Sequence, residues 1–267
     1  MARVSVIIPA YNNEKTISQA IDSILTQTYT DYEIIICDDC SKDGTYGIAK
    51  RYSEGFPNIV AIKNDVNLGA GLTRNNCIEK AVGEFIALQD ADDLSLPERL
   101  QEQISFLDIN PDFAMVGTGC DVFNKTGAFS TIMPMQYPTA KSFLHGLPFM
   151  HPTLVIRRDA LLFSGLYKSR SEVARSEDYE FAGRLYSMGY KGCTIQRVLL
   201  KYRVEDEDYK KRTFLNRVRS VKVRYMVFKA LQFRWYKSIY ALKPLIAGLI
   251  PKEWLKNYHR RKYKLQA

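Results

Sequence analysis

The chain has 267 residues, 46% of them apolar and 25% charged, which suits one domain or two small ones with a buried core and argues against disorder. Its 15 Gly and 10 Pro exclude a collagen-like or linker-like composition. The net charge of +9 hides an asymmetry: residues 209–267 carry 17 Lys/Arg and one acid, Glu253, whereas residues 1–208 carry 21 Lys/Arg and 28 acids. An acidic body with a basic tail speaks against a nucleic-acid surface across the body.

The first residues, MARVSVIIPAYN, hold no apolar stretch of signal-peptide length and pass straight into a strand pattern. Val4 to Ile8 is a β-branched run closed by Pro9 and reads as a buried parallel strand. Glu14 to Thr26 has apolar residues at helical spacing: Ile17, Ala20, Ile21, Ile24 and Leu25. Tyr32 to Cys37 is a second buried strand ending in Asp38 and Asp39, and Thr45 to Tyr52 reads as a helix. Ile59 to Lys63 is a third strand and Gly71 to Ala81 a third helix. The strand Phe85 to Gln89 then ends in Asp90, Asp92 and Asp93. Beyond residue 113 the pattern loosens. Ala114 to Thr118 and Leu154 to Arg157 read as strands, Ser176 to Met188 as a helix, and Thr213 to Trp235 as a long basic helix.

Alternating strands and helices predict an α/β fold with a mostly parallel sheet flanked by helices. In such sheets the ligand crevice lies outside the carboxyl ends of the strands, so the acidic groups that follow three strands can meet there. The five cysteines are an odd number and make no disulfide framework; Cys37 of the Cys37/Cys40 pair reads as a buried strand residue. No run of about 18 apolar residues occurs, and Ile239 to Ile250 is broken by Lys243 and Pro244, so no membrane span is expected.

Three close carboxylates at Asp90, Asp92 and Asp93 repel one another unless a cation or donors compensate. Hard divalent cations prefer such oxygens, and Mg²⁺ often shares one or two carboxylates with substrate phosphates. A solvated acidic turn leading into a helix near Pro97 is the plainer reading. Asp38 and Asp39 open a turn-forming segment, DDCSKDGT, in which a strand-end carboxylate suits a ribose hydroxyl or a base N–H, or serves turn chemistry alone. NLGAGLTRN opens a helix with glycines and Arg74, a weak phosphate signal. Ser176-Glu177-Asp178-Tyr179-Glu180 opens another helix, where an Asp is either a general base or a complement to the helix dipole.

Taken in order, SVIIPAYN, DDCSKDGT, NLGAGLTRN, LQDADDLSLPERL and SEDYEFAGRL resemble the motifs of family 2 inverting glycosyltransferases with the GT-A fold, across roughly residues 3 to 205. The resemblance implies a sugar nucleotide, most simply a UDP-sugar, as donor, and Mn²⁺ or Mg²⁺ as cofactor. By the same resemblance Pro9, Ala10 and Tyr11 frame the base, Glu14 lies near that pocket, and Asp39 accepts from the uracil ring. Arg74 contacts the base edge or diphosphate, Asp90 lies near the ribose, Asp92 binds the metal, and Asp178 is the general base. His151, Glu177 and Arg203 are further candidates on the acceptor or diphosphate side. Cys40 and Gln89 depart from commoner residues without removing a proposed ligand, and no QxxRW motif of processive synthases is present.

These expectations divide the chain into a catalytic domain at 1–208, with a nucleotide-binding half at 1–112 and an acceptor-binding half at 113–208, and a basic helical tail at 209–267. In the tail Leu215, Val218, Val221, Tyr225, Phe228 and Leu231 follow helical spacing, and Phe233, Trp235, Tyr236, Tyr240 and Trp254 suit a membrane interface. The expected partners are a glycan or lipid-linked acceptor and an anionic membrane surface, with no nucleic acid. The expected location is cytoplasmic, peripheral on the inner face of the cell membrane. Two other readings compete: a sugar-nucleotide nucleotidyltransferase, disfavoured because the first loop is PAYNNEKT rather than Gly-rich, and an inactive membrane-associated nucleotide-binding protein.

Overall fold

The structure is a computed structural model that describes residues 2–125, 127–173, 176–205 and 213–249. The sign change in charge near residues 205–209 lies partly outside these residues, and Trp254 and the rest of the tail after 249 lie wholly outside them.

Four strands, β1 (Val4–Ala10), β2 (Tyr32–Asp38), β3 (Ile59–Lys63) and β4 (Phe85–Leu88), form an all-parallel half-sheet. The helices α1 (Ile17–Leu25), α2 (Thr45–Gly55) and α3 (Ala70–Lys80) connect them. The β-branched runs are apolar on both faces because both faces are covered. Along β1, Ile7 faces a core shared with Cys37, Cys77 and Ile78, whereas Val4, Val6 and Ile8 face a second core shared with Ile17, Ile21 and Ile24. Cys37 is buried and unpaired by any disulfide, as its strand position predicts.

The sheet continues in the order β3-β2-β1-β4-β8-β6-β9-β5, with β7 paired to β6. Here β5 is Leu94–Ser95, β6 Phe113–Asn124, β7 Gly127–Ile132, β8 Val155–Arg157 and β9 Lys191–Arg203. Strand β8 runs antiparallel to both β4 and β6, and β5 antiparallel to β9, so the sheet is mixed beyond β4. The parallel β6–β9 pairing is the longest in the molecule. Helices α4 (Arg99–Ile109), α5 (Arg158–Phe163), α6 (Arg170–Val173) and α7 (Glu177–Ser187) fill the connections.

The tail begins with α8 (Phe214–Ala230), passes through a 3-10 segment at Trp235–Leu242, and continues as α9 (Lys243–Leu249). Helical spacing puts Leu215 and Tyr225 on the apolar face of α8, but the structure exposes both and buries Val223, Val227 and Phe228. The reason is the partner. α8 packs on α7, where Gly183 leaves a slot: a Cβ there would lie 2.4 Å from Val227 Cγ1. Arg224 donates to the Leu144 carbonyl and lies over the Tyr179 ring, and Ser176 donates to the Ser220 hydroxyl. Among the described residues no helix is long and apolar enough to cross a membrane.

Candidate active site

The strand register places Ala10 opposite Asp38, Asp38 opposite Lys63, and Ile7 opposite Leu88. The loops that follow these four parallel strands therefore emerge at one edge. Two of them are stitched into a single lip. Asn12 N–H donates to the Ser41 hydroxyl, Lys42 N–H to Asn12 Oδ1, and Asn13 N–H to the Thr45 hydroxyl. Glu14 accepts from Gly44 N–H, and Asp43 accepts from Glu14 N–H. The lip leaves Tyr11 exposed at its rim, directly after the buried Ala10.

Asp39 sits under this lip, almost wholly buried. Its carboxylate accepts from Leu68 N–H at 2.8 Å, Gly69 N–H at 2.8 Å and Asn64 Nδ2 at 2.9 Å. These bonds hold the glycine loop that starts α3. Gly69, at φ 84°, adopts a left-handed turn that favours glycine, so the loop can fold back onto Asp39. Sequence reasoning missed Asn64, which also accepts from Cys37 Sγ and Asn76 Nδ2 and so ties β2 to α3.

One turn into α3, Arg74 Nη2 donates to Asp90 Oδ1 at 2.7 Å. Burial opposes the guanidinium charge, but the Asp90 carboxylate outweighs it and holds the Arg74 pKa above its ordinary value. Arg74 also lies over the ring of Tyr167, a residue the sequence patterns did not single out. Tyr167 is pinned by Asn75, which donates to the Tyr167 carbonyl and accepts from its N–H. Its hydroxyl pairs with His151 Nε2 at 2.9 Å. His151 is thus a buried partner of Tyr167. Burial, with Arg74 nearby, drives its pKa well below the usual histidine value, so the imidazole is neutral.

The acidic turn after β4 divides its labour. Asp93 is fully buried; Oδ1 accepts from Arg203 N–H at 2.9 Å, and burial, then Asp90 and Asp92, push its carboxyl well above the usual range. Arg203 is spent on bracing this turn: Nε donates to the Asp92 carbonyl, Nη2 to Gln19, and the guanidinium covers the Phe123 ring. Beneath the turn lies Arg99, fully buried. It donates to Gln89, Ser95, Gln103 and the carbonyls of Leu88 and Pro152, and burial pushes its pKa down to about 10. Asp90 and Asp92 are left half-buried at the edge.

The remaining carboxylates at this edge come from α7. Asp178 and Glu177 are half-buried in its first turn, next to the start of α3, where a Cβ on Gly71 would lie 3.6 Å from Glu177 Cβ. Burial, and then the charge of Glu177, raise the Asp178 carboxyl to about 6. Arg74, Asp90, Glu177 and Asp178 all act electrostatically on Tyr167. The fold therefore brings Asp39, Arg74, Asp90, Asp178 and Glu177 to one edge, although α3 and α7 are about a hundred residues apart in the chain. Glu180, one position past Tyr179, turns away and pairs with Lys168 and Arg184.

Among the described residues no three His, Cys, Asp or Glu side chains converge into an all-protein metal cage. The donor set would fit a cation shared with a ligand: Asp92, half-buried at the rim, would supply carboxylate oxygen, and phosphate and water would complete a shell that Mg²⁺ or Mn²⁺ accepts.

Comparisons with known proteins bear on the family and the fold. Residues 5–163 match the family model "Glycosyl transferase family 2". The putative glycosyltransferase EpsE of Bacillus subtilis is 34% identical over 261 residues, covering 97% of this chain and 94% of that one. A UDP-Glc:alpha-D-GlcNAc-diphosphoundecaprenol beta-1,3-glucosyltransferase of Escherichia coli, WfgD, is 34% identical over 59% of this chain and 61% of its own. Among solved structures, S. aureus TarS 1–349 in complex with UDP-GlcNAc superposes with a TM-score of 0.73 at 21% identity, covering 92% of this chain and 72% of that one. The mannosyltransferase PcManGT from Pyrobaculum calidifontis, in complex with GDP-Man and Mn²⁺, gives 0.65 at 22% identity, covering 92% and 74%. With the motifs, the sheet order and these relatives in agreement, the chain is a GT-A glycosyltransferase and belongs to glycosyl transferase family 2.

Proposed function

We propose that the enzyme moves a sugar from a UDP-sugar to a hydroxyl of a glycan or lipid-linked acceptor in cell-surface polysaccharide synthesis, with inversion at the anomeric carbon. The observation that carries this reading is a carboxylate near pKa 6, Asp178, in the same site as the Arg74–Asp90 pair and the Asp92 turn. A base must be ionised at neutral pH and still hold a proton well enough to take it from a hydroxyl, and a value near 6 meets both demands.

In this reading Pro9, Ala10 and Tyr11 border the base, with Glu14 and Asp39 behind them, and Asp90 faces the ribose while Arg74 holds its carboxylate in place. Asp178 accepts the acceptor hydroxyl proton as the oxygen forms its bond to the anomeric carbon and the bond to the diphosphate breaks on the opposite face. Asp92 would hold a divalent cation, which when bound would supply positive charge to the departing diphosphate. Glu177 raises the proton affinity of Asp178. Arg203 and the His151–Tyr167 pair position this machinery from behind. The UDP preference is supported by the ligands named for TarS and for the E. coli relative. The lipid-linked acceptor is supported by the latter's name and by the basic tail, which is proposed to keep the enzyme peripheral on an anionic membrane.

The test is nucleotide release from UDP-, GDP- and dTDP-sugars with Mn²⁺, Mg²⁺ or EDTA, for the wild type, Asp92→Ala and Asp178→Asn. The expected result is metal-dependent release from a UDP-sugar that Asp92→Ala abolishes. Anomeric proton NMR of a transferred product should show the inverted configuration. No release and no nucleotide binding with any donor would overturn the reading in favour of an inactive protein.

A further inference from the structure

The described tail separates a face the protein keeps from a face it leaves in water. α8 gives Val223, Val227 and Phe228 to the core, and the 3-10 segment adds Ala241. The rest of that segment does the opposite. Residues three apart eclipse in a 3-10 helix, and Tyr236, Ile239 and Leu242 are 50%, 67% and 43% exposed. Ile246, one helical turn further in α9, is 60% exposed, and Trp235 beside the ridge is 86% exposed. The segment is held in place: Tyr240 packs edge-on against His145 of the body, Lys243 bonds the same imidazole, and Arg217 of α8 donates to the Pro244 carbonyl just beyond it. A continuous apolar ridge on an anchored element is unusual for a surface that meets only water.

Charge identifies what covers it. Residues 213–249 contain eight Lys/Arg and no Asp or Glu, and Arg234, Lys237 and Lys243 flank the ridge itself. A second copy presenting the same face would set cations against cations. A leaflet rich in anionic headgroups supplies the opposite charge, and Trp and Tyr with polar edges suit its interface.

We propose that the ridge Tyr236–Ile239–Leu242–Ile246, with Trp235, inserts into the interface of an anionic bilayer while Arg234 and Lys237 bind headgroup phosphates. This deepens the lipid-linked reading above and takes its biological purpose from it, but the binding itself needs no transfer reaction. It also moves the contact from α8, where the sequence spacing suggested it, to the segment that follows.

The test uses the full chain carrying Trp254→Phe, so that Trp235 is its sole tryptophan. The probes are phosphatidylcholine vesicles with and without phosphatidylglycerol, read by flotation and by Trp235 quenching with brominated lipid. The bound fraction should be about tenfold higher with phosphatidylglycerol and should fall with added salt, and Trp235 should be quenched. The double variant Ile239→Asp/Leu242→Asp should lose both signals. Ile109→Asp, at a still more exposed apolar position on α4, should keep them. Donor hydrolysis by the ridge variant should equal that of the parent, which shows that it is folded and separates this proposal from the transferase reading. Equal flotation by the ridge variant and its parent would overturn the proposal. So would a concentration-dependent dimer that the ridge substitutions dissolve, or binding to nucleic acid with none to vesicles.

Discussion

The sharpest expectation concerns the pH profile. Asp178 is raised from 3.8 to about 6, first by burial and then by the neighbouring Glu177 charge, with Arg74 and the Tyr179 N–H pulling the other way. If Asp178 takes the acceptor proton, kcat/KM should fall on the acid side with an apparent pKa near 6. The ionised fraction is then about one half at pH 6 and about one tenth at pH 5. Glu177→Gln removes a like charge and should move this limb to lower pH, with the plateau little changed. The same shift carries a stability sign. The folded state holds the proton more tightly than the unfolded chain, so the strain of ionisation is absent below about pH 4 and grows as pH rises through 6. Two pH units correspond to about 3 kcal/mol at most, less whatever water reaches the half-buried carboxylate. Asp178→Asn should therefore abolish transfer and raise the melting temperature at pH 7.5, with a smaller rise at pH 4. A limb that stays at 6 in Glu177→Gln, or a variant Asp178→Asn that transfers with the same acid limb, would refute the assignment.

Further outcomes follow from the same geometry. Arg74→Ala leaves Asp90 without its 2.7 Å partner and should raise the donor KM at least about tenfold while leaving the metal dependence in place, measured by steady-state nucleotide release. Gly183→Ala puts a methyl within 2.4 Å of Val227 and should cost about 1–3 kcal/mol by chemical denaturation. Val227→Ala in the same chain should recover most of that loss, and a double variant as unstable as Gly183→Ala alone would show that the α7–α8 contact is not the cause. Arg99→Met removes a buried cation that donates to five neighbours, and it should lower both stability and donor affinity through the turn it supports.

Much of the all-parallel half-sheet and its helices was legible in the sequence because both of its periodicities are local. Ile59–Lys63 matches its predicted bounds, and the first two strands gain only one or two residues at their ends. The acids after β2 and β4 were visible because strand ends punctuate the apolar runs. What stayed hidden depends on distant pairing. The thirteen-residue β9 mixes Gln196, Arg197 and Lys201 into its run, and its strand character comes from lying beside β6. Tyr167 has no pattern of its own; Asn75, 92 positions earlier, is what pins it beneath Arg74. Arg203, a candidate for the diphosphate side, also braces Asp92 and Asp93, contacts across about 110 residues that no local pattern encodes. The choice of buried residues on α8 has the same kind of cause: Val227 follows Gly183, which the helix's own spacing does not encode.

Two contacts of α7 are made at glycines: Gly71 at the start of α3 lies against Glu177, and Gly183 within α7 receives Val227 from α8. With no side chain at Gly183, α8 lies closer to the helix that carries Asp178 than a Cβ there would allow. A bilayer gripping the ridge after α8 would then fix how high Asp178 stands above the headgroups. The enzyme would select acceptors by reach as well as by shape: a sugar hydroxyl held at that height is within range of the base, and one flush with the membrane or far out along a grown chain is not.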